Sequence, residues 1–468
     1  MKSSGKHAPV RNSSGIAGGI DHRWNSLAPP SPSDGGESMG TRRAVLRAGL
    51  VLPLAAACAP NSLLGNPGAV RIGVSWSGSE LAAFRKVLAR LAFEHPIEVI
   101  PLGDEIGSAF TAGGKSAPDI VMLPQAGQVR ALAEAGKIRS IPGDPWIDTD
   151  GPRYPELWRQ LLHHKGKTFA LPFKAAEKSL VWYDRESIEH YKLGAPADWT
   201  IADWRDRAEV LSNTPIRLLA LGAADGWVLT DVFENVLLAE SPRTYDDLVA
   251  HPTERSWQRP AVRAAFGHLA TLWGQPRAFP GSAAVALTRQ FPDAIRDVFQ
   301  HRRAAMVIAP DFAEPIVRAG LRAVGRKEDV VGIASFPSVG PGAQRPRIVG
   351  GGVMVVTTPA SPVAERVVAA LAAPQAPVPW IEEDGGFIAP NLRTEARYSA
   401  LMEPIVRAQS AWSAFDLSDQ LGAIGGRNGL WRILTDFLIE VGDRANEDAD
   451  EAIDRAIAAL DGFERGLR

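Results

Sequence analysis

Residues 70–91 read VRIGVSWSGSELAAFRKVLARL, and within this stretch the apolar period changes from that of a strand to that of a helix. Val70 to Trp76 is a short apolar run suited to a buried strand. Leu81, Phe84, Leu88 and Leu91 then recur at helical spacing, behind Ser77 and Glu80 placed as a capping box. Ile97 to Leu102 is a second strand and Gly103 to Gly114 a short helical segment. Asp119 to Leu123 is a third strand stopped by Pro124, and Val129, Leu132 and Ala133 mark a helix closed by Gly136. Alternation of this kind implies an α/β fold with parallel strands and right-handed helical crossovers. Ligands on such sheets gather at the carboxyl ends of the strands, here Trp76 to Glu80, Gly103 to Glu105 and Pro124 to Gly127.

Further on, Phe169 to Phe173 is another strand, followed by KAAEKSLVWYD at 174–184. From Trp199 through Leu238 and from Pro260 through Trp273 the pattern is mostly helical. Strand-like runs return at Ala304 to Ala309, Val330 to Ala334 and Val353 to Thr357, and Pro362 to Ala372 is a helix ended by Pro374. The C-terminal stretch adds a helix with Leu430, Trp431, Leu434, Phe437, Leu438 and Val441 facing inward, and another with Ile453, Ile457, Leu460 and Phe463. No repeat of 20 to 50 residues is visible, which excludes solenoids and propellers.

Ahead of the folded region, TRRAVLRAGLVLPLAAAC at 41–58 has a basic flank, a short apolar centre and a small-residue cleavage site ending in the only cysteine of the chain. It resembles a bacterial lipoprotein signal of the twin-arginine type, in which Cys58 would carry the lipid anchor. Export by the general secretory route is the alternative, and a buried helix with an incidental thiol is the bland one. Residues 1–40 hold too little apolar surface to fold, and Met39 stands where an export signal would begin, so the first residues read as an over-extended start or a cytoplasmic extension. From Cys58 onward the chain is long enough for two domains.

With 51 Lys plus Arg against 53 Asp plus Glu, no basic field is present to hold a nucleic-acid backbone. No other apolar run reaches the roughly 18 residues needed to cross a membrane. Thirteen Trp against five Tyr is an unusual balance, and Trp offers a flat apolar platform for a sugar ring as well as core volume.

Seven stretches in order resemble the sugar-binding group of bacterial extracellular solute-binding proteins, the maltose-binding-protein-like receptors of ABC transporters. They are VSWSGSE (74–80), APDIVMLPQAG (117–127), GKTFALPFKAAEKSLVWYD (166–184), WTIADW (199–204), DGWVLTDVFENVLL (225–238), AAMVIAPDF (304–312) and GGGVMVVT (350–357). The resemblance implies two α/β lobes joined by a hinge, with the ligand clamped in the cleft between them. It places crossings near Phe173 to Ala176, Ala309 to Phe312 and Gly386 to Pro390. The first lobe would then be 69–174 plus 310–373, and the second, more helical one 175–309 plus 374–468. It also implies a monomeric receptor on the outer face of the cytoplasmic membrane that hands a carbohydrate or related polyol to permease subunits, without cofactor or metal.

A neutral sugar needs polar groups around its edge and an aromatic ring against its face. Trp76, Ser77 and Glu80 follow the first strand and Gln125 the third; a capping box and a solvated turn are the structural alternatives. Lys174 and Glu177 flank the first crossing, where an ion pair is the plainer role for Glu177. Trp227, Asp231 and Glu234 recur at helical spacing, so an aromatic and two carboxylates would project together, Trp227 stacking on the sugar and Asp231 accepting its hydroxyls. Asp311, Gly351, Gly352 and Phe387 lie on segments that the family returns to the cleft; for the glycines the alternative is a tight turn or close strand packing. Asp419 and Arg427 rank below these, since a helix cap and an exposed charge explain them equally well.

Enzyme chemistries find little support. GKS at 114–116 has Ala109 where a phosphate loop needs glycine, nine scattered histidines form no zinc spacing, and the region after Cys58 has no GxSxG elbow. A glycoside hydrolase using Asp231 with Glu234 or Asp311 stays open, as does a binding or signalling lipoprotein without a transport role.

Overall fold

The computed structural model describes residues 68–111, 117–250, 257–408, 413–444 and 448–467. The export signal, Cys58 and the 1–40 segment lie outside these residues. The strands are β1 Val70–Val74, β2 Ile97–Pro101, β3 Ile120–Leu123, β4 Ala170–Glu177, β5 Leu180–Asp184, β6 Arg217–Ala220, β7 Ala304–Ile308, β8 Val331–Ser335, β9 Ile348–Val356 and β10 Ala414–Phe415. They form two sheets, besides two short hairpins. The first runs β10-β9-β3-β1-β2, with β4 paired to β9. β1 is parallel to both β2 and β3, as strand-helix alternation requires, whereas β9 enters antiparallel to β3 and to β4. The second sheet is β6-β7-β5-β8, with β6 and β7 parallel and β5 antiparallel to its neighbours.

Helix α1 (Gly78–Leu91) covers the first sheet, burying Ala83, Phe84, Val87 and Leu88. Removing a ring such as Phe84 completely from water contributes about 2–3 kcal/mol. The expected capping box is absent. The Ser77 backbone is extended as a cap should be, but its side chain caps nothing, because Glu80 turns to Lys174 instead. A capping box does form at α2 (Ile201–Leu211), where Thr200 and Asp203 exchange hydrogen bonds. The expected helix from Gly103 is a 3-10 segment over Gly103–Phe110. Helix α3 (Gly226–Glu240) is buried from Val228 to Ala239, which makes it a core helix rather than an amphipathic one. It packs with α4 (Pro260–Trp273), α6 (Arg432–Val441) and, through α4 and α6, α7 (Ala449–Leu467) beside the second sheet.

The chain crosses between sheets at other points than expected. The strand expected to end at Phe173 continues to Glu177, so the first crossing lies at Lys178 and Ser179. Ala309 to Phe312 is not a crossing, because β8 follows it and pairs with β5 in the second sheet; the return lies between Ser335 and Ile348. Residues 310–335, expected with the first lobe, are therefore built into the second sheet's side. Conversely, Trp380 of the 374–468 segment packs on Trp76 at 5.1 Å, Ile388 bridges Ala175, and β10 pairs with β9, all on the first sheet's side. The final crossing comes at Asp416, between β10 and helix α5 (Leu417–Gln420).

Candidate functional site

A cavity of about 320 Å³ opens where the carboxyl ends of β1 and β3 face the start of α3 and the segment 418–431. From the first sheet's side come Ser75, Trp76, Glu80, Gln125, Gln128, Lys174, Gly351 and Gly352. From the other come Phe312, Trp227, Ser418, Asp419 and Trp431, with Lys178 at the crossing between them. The strand ends therefore collect the lining as the parallel topology requires.

Three half-buried indoles face the cavity while eight others are core: Trp146, Trp158, Trp182, Trp199, Trp204, Trp257, Trp273 and Trp380 are buried. Trp76 is held edge-on by Phe84 and Trp380, each at 5.1 Å. Trp227 leans on Phe291 at 4.9 Å and Phe312 at 5.9 Å. Trp431 reaches the same space because Gly226 lacks a side chain; a Cβ there would lie 2.8 Å from Trp431 Cβ. Two walls thus carry aromatic faces toward one space, an arrangement suited to a weakly apolar ring.

Polar groups lie between them. Lys174 Nζ donates to Glu80 Oε1 at 2.6 Å and lies 4.9, 5.5 and 5.8 Å from the ring centroids of Trp380, Phe312 and Phe387. Lys178 Nζ donates to Asp231 Oδ1 at 2.9 Å and to Asp416 Oδ2. Behind them Glu234 accepts the backbone N–H groups of Leu417 and Ser418, both at 2.9 Å, and the Tyr245 hydroxyl at 3.4 Å.

Burial dominates the titration of this set. It pushes Asp231 up to about 7 despite the charge of Lys178, and pushes Glu234 well above the carboxylate range, aided by Asp416. Burial likewise raises Asp419, again with Asp416 adding to it. Asp416 is held below its ordinary value because Lys178 and four hydrogen bonds outweigh burial. For Lys178 burial opposes the charge, and the surrounding carboxylates overcome it.

Of the residues anticipated from sequence, Trp76, Glu80, Gln125, Lys174, Trp227, Gly351 and Gly352 line the cavity. Ser77, Asp231, Glu234, Asp311 and Phe387 do not. Ser77 is exposed beyond the rim. Asp231 and Glu234 share the spacing of Trp227 but sit deeper on a helix that is buried all round, so Lys178 and the α5 amides take their carboxylates. Asp311 is fully buried, with burial raising it well above its ordinary range, and Phe387 packs on Phe173 and Trp380. Glu177 is paired with Arg347 at 2.6 Å, its plainer role. Gly351 meets the close-packing alternative: with φ at +137°, a Cβ would fall 2.1 Å from the Lys174 carbonyl oxygen.

Sequence reasoning passed over Ser75, Gln128, Lys178, Phe312 and Ser418, ranked Asp419 low, and placed Trp431 inward. Lys178 had a signal: Lys174, Ala176 and Lys178 alternate, and all three line the cavity. Among the described residues no group of three or more His, Cys, Asp or Glu is disposed to hold a metal ion, and no helix is long and apolar enough to cross a membrane.

No protein-family model matches the chain. It is 25% identical over 338 residues to the osmoprotective compounds-binding protein GgtB of Synechocystis sp., covering 69% of this chain and 76% of that protein. It is 24% identical over 410 residues to the alpha-glucosides-binding periplasmic protein AglE of Rhizobium meliloti, covering 81% and 85%. Among solved structures, a chitin oligosaccharide binding protein superposes with a TM-score of 0.66 at 15% identity, over 85% of this chain and 100% of that one. An ABC transporter solute binding protein from Thermotoga lettingae, bound with alpha-D-tagatose, does so with a TM-score of 0.67 at 17% identity, over 85% and 100%. The fold is the two-lobed solute-binding fold.

Proposed function

We propose that this homologue of extracellular solute-binding proteins is a receptor that captures a carbohydrate or related polyol and delivers it to an ABC permease. The observation that carries the proposal is the cavity itself: Trp76 on one wall, Trp227 and Trp431 on the other, and hydrogen-bonding side chains between. The relatives' names, for alpha-glucosides and for osmoprotective compounds, support the same ligand class. The lobes are taken as 70–177 with 348–415, and 180–335 with 417–467, closing on the ligand about Lys178, the 336–347 segment and Asp416.

The role is binding rather than hydrolysis. A glycosidase would need two carboxyl groups at the sugar, yet Asp231 and Glu234 are withdrawn from the cavity and engaged by Lys178 and backbone amides. The receptor acts as a monomer outside the cytoplasmic membrane, with no cofactor, tethered by lipid on Cys58; the ordered signal at 41–58 supports the tether.

Calorimetric titration of the full chain in mild detergent with glucose, maltose, trehalose, sucrose and sorbitol tests the function. Reversible binding of at least one, with the sugar recovered intact, is expected. Silence across the panel, or hydrolysed product, overturns it. Cys58→Ala should release the protein from salt-washed membranes, and scattering profiles should contract with a bound sugar.

A further inference from the structure

The polar wall of the cleft holds more hydrogen-bond acceptors than donors. Both ammonium groups on it are already matched, Lys174 by Glu80 at 2.6 Å and Lys178 by Asp231 and Asp416. Asp416 is further served by the Asp419 N–H at 2.9 Å and the Ser418 hydroxyl at 2.8 Å, and Glu234 by two backbone amides. Two carboxyl groups are left short. Asp231 is 3% exposed and its Oδ2 has no hydrogen-bond partner. The Asp419 carboxyl lines the cavity and makes no ion pair or side-chain hydrogen bond among the described residues.

The position of Asp419 is built in. It follows the first turn of α5, which Asp416 caps, and α5 lies against the turn after β3 because Gly127 has no side chain. A Cβ at Gly127 would stand 2.3 Å from the Asp419 carbonyl oxygen. Tertiary packing therefore presents a donor-hungry carboxyl to the space between Trp76 and Trp431, with Asp416 and Asp231 behind it.

We infer that Asp419 sets the charge selectivity of the cleft: it takes hydroxyl donors from an uncharged saccharide or polyol and excludes the anionic counterparts, uronates, aldonates and sugar phosphates. The inference rests on the receptor function proposed above. An anionic ligand would bring further acceptors and a like charge into a partly desolvated site whose two cations are already paired, whereas each hydroxyl given to Asp419 forms a charge-assisted bond. Rejection by an unmatched like charge is an efficient source of specificity, because it acts on the unwanted ligand alone. Burial raises Asp419 well above its ordinary range, in keeping with a group that lacks donors until a ligand supplies them.

The test is calorimetry on the full chain with matched probes: glucose against glucuronate and glucose 6-phosphate, maltose against maltobionate, trehalose against trehalose 6-phosphate. In every set that binds, the neutral member should bind at least about tenfold more tightly than the anionic one. In Asp419→Asn that gap should shrink to about threefold or less, with the melting temperature recorded to show that the variant is folded. An anion bound as tightly as its neutral partner by the unaltered protein overturns the inference whatever the variant does. So does a folded Asp419→Asn that keeps the full discrimination. Silence from every probe overturns it together with the receptor function beneath it, whereas a preference for anions leaves that function standing.

Discussion

Lys178 and Asp416 are ion-paired, and each sits where the chain passes from one sheet to the other. Lys178 lies between β4 and β5, and Asp416 between β10 and α5. Asp231, on the central helix α3, completes the set at 2.9 Å from Lys178. Two of the three crossings are thus joined by a buried charge pair that also borders the cavity, so lobe motion and ligand contact share one polar hub.

Replacing Lys178 by Met keeps the stem but leaves Asp231 and Asp416 buried without their cation. Urea denaturation near neutral pH should show a loss of about 3–5 kcal/mol, the range for breaking one side of a buried pair. A loss below about 0.5 kcal/mol, typical of an exposed pair, would show that the hub contributes nothing to stability.

Stability should depend on pH through Asp231. Its folded-state value of about 7 exceeds the ordinary 3.8, so the folded protein keeps a proton that the unfolded chain releases. The contribution is full below about 4 and is lost as pH rises through about 7, at up to about 1.4 kcal/mol per unit. Glu234 and Asp419 shift the same way, while Asp416 is lowered and acts oppositely as pH falls. The urea midpoint should therefore fall between pH of about 5 and 7.5, and less steeply in Asp231→Asn. A midpoint that rises across this window would contradict the assignment.

The neighbouring glycines should separate stability from binding. Gly351→Ala forces a side chain at φ +137° into the Lys174 carbonyl and should lower the melting temperature by several degrees. At Gly352 the nearest atom to an added Cβ is Trp76 Cζ2 at 3.8 Å, an ordinary contact. Gly352→Ala should melt normally but bind a sugar less tightly, since the methyl enters the cavity. Equal melting temperatures for the two variants would refute this division.

Trp431→Ala should weaken binding of any sugar the protein accepts by about 1–3 kcal/mol, from the area an aromatic platform covers. Trp227→Ala should weaken it similarly and also cost stability, because Phe291 and Phe312 lose a packing partner. Calorimetry and thermal melts on both variants check this; unchanged affinity in Trp431→Ala would remove that ring from the site.

Local pattern carried much of the fold. The run from Val70 to Leu123 shows its strands and helix by period alone, and Trp76 and Gln125 follow from standing after strand ends. The face of α3 was less legible. Trp227, Asp231 and Glu234 share a spacing, yet only the first reaches the cavity. Spacing says which side chains lie together; it does not say how deep a helix is buried, which depends on α4, α6 and the 416–419 segment packed around it.

The sequence by itself determined the α/β class, the strand ends where a ligand would gather and the aromatic supply for it, because period and turn chemistry act over a few residues. Only the tertiary structure decided where the chain changes sheets, that β8 joins β5, and that Asp231 and Glu234 turn inward while Lys178, Asp419 and Trp431 face the cavity. Those outcomes depend on contacts between segments more than a hundred residues apart, such as Lys178 with Asp416. Burial and charge matching across such distances are properties of the assembled core, and no local stretch encodes them alone.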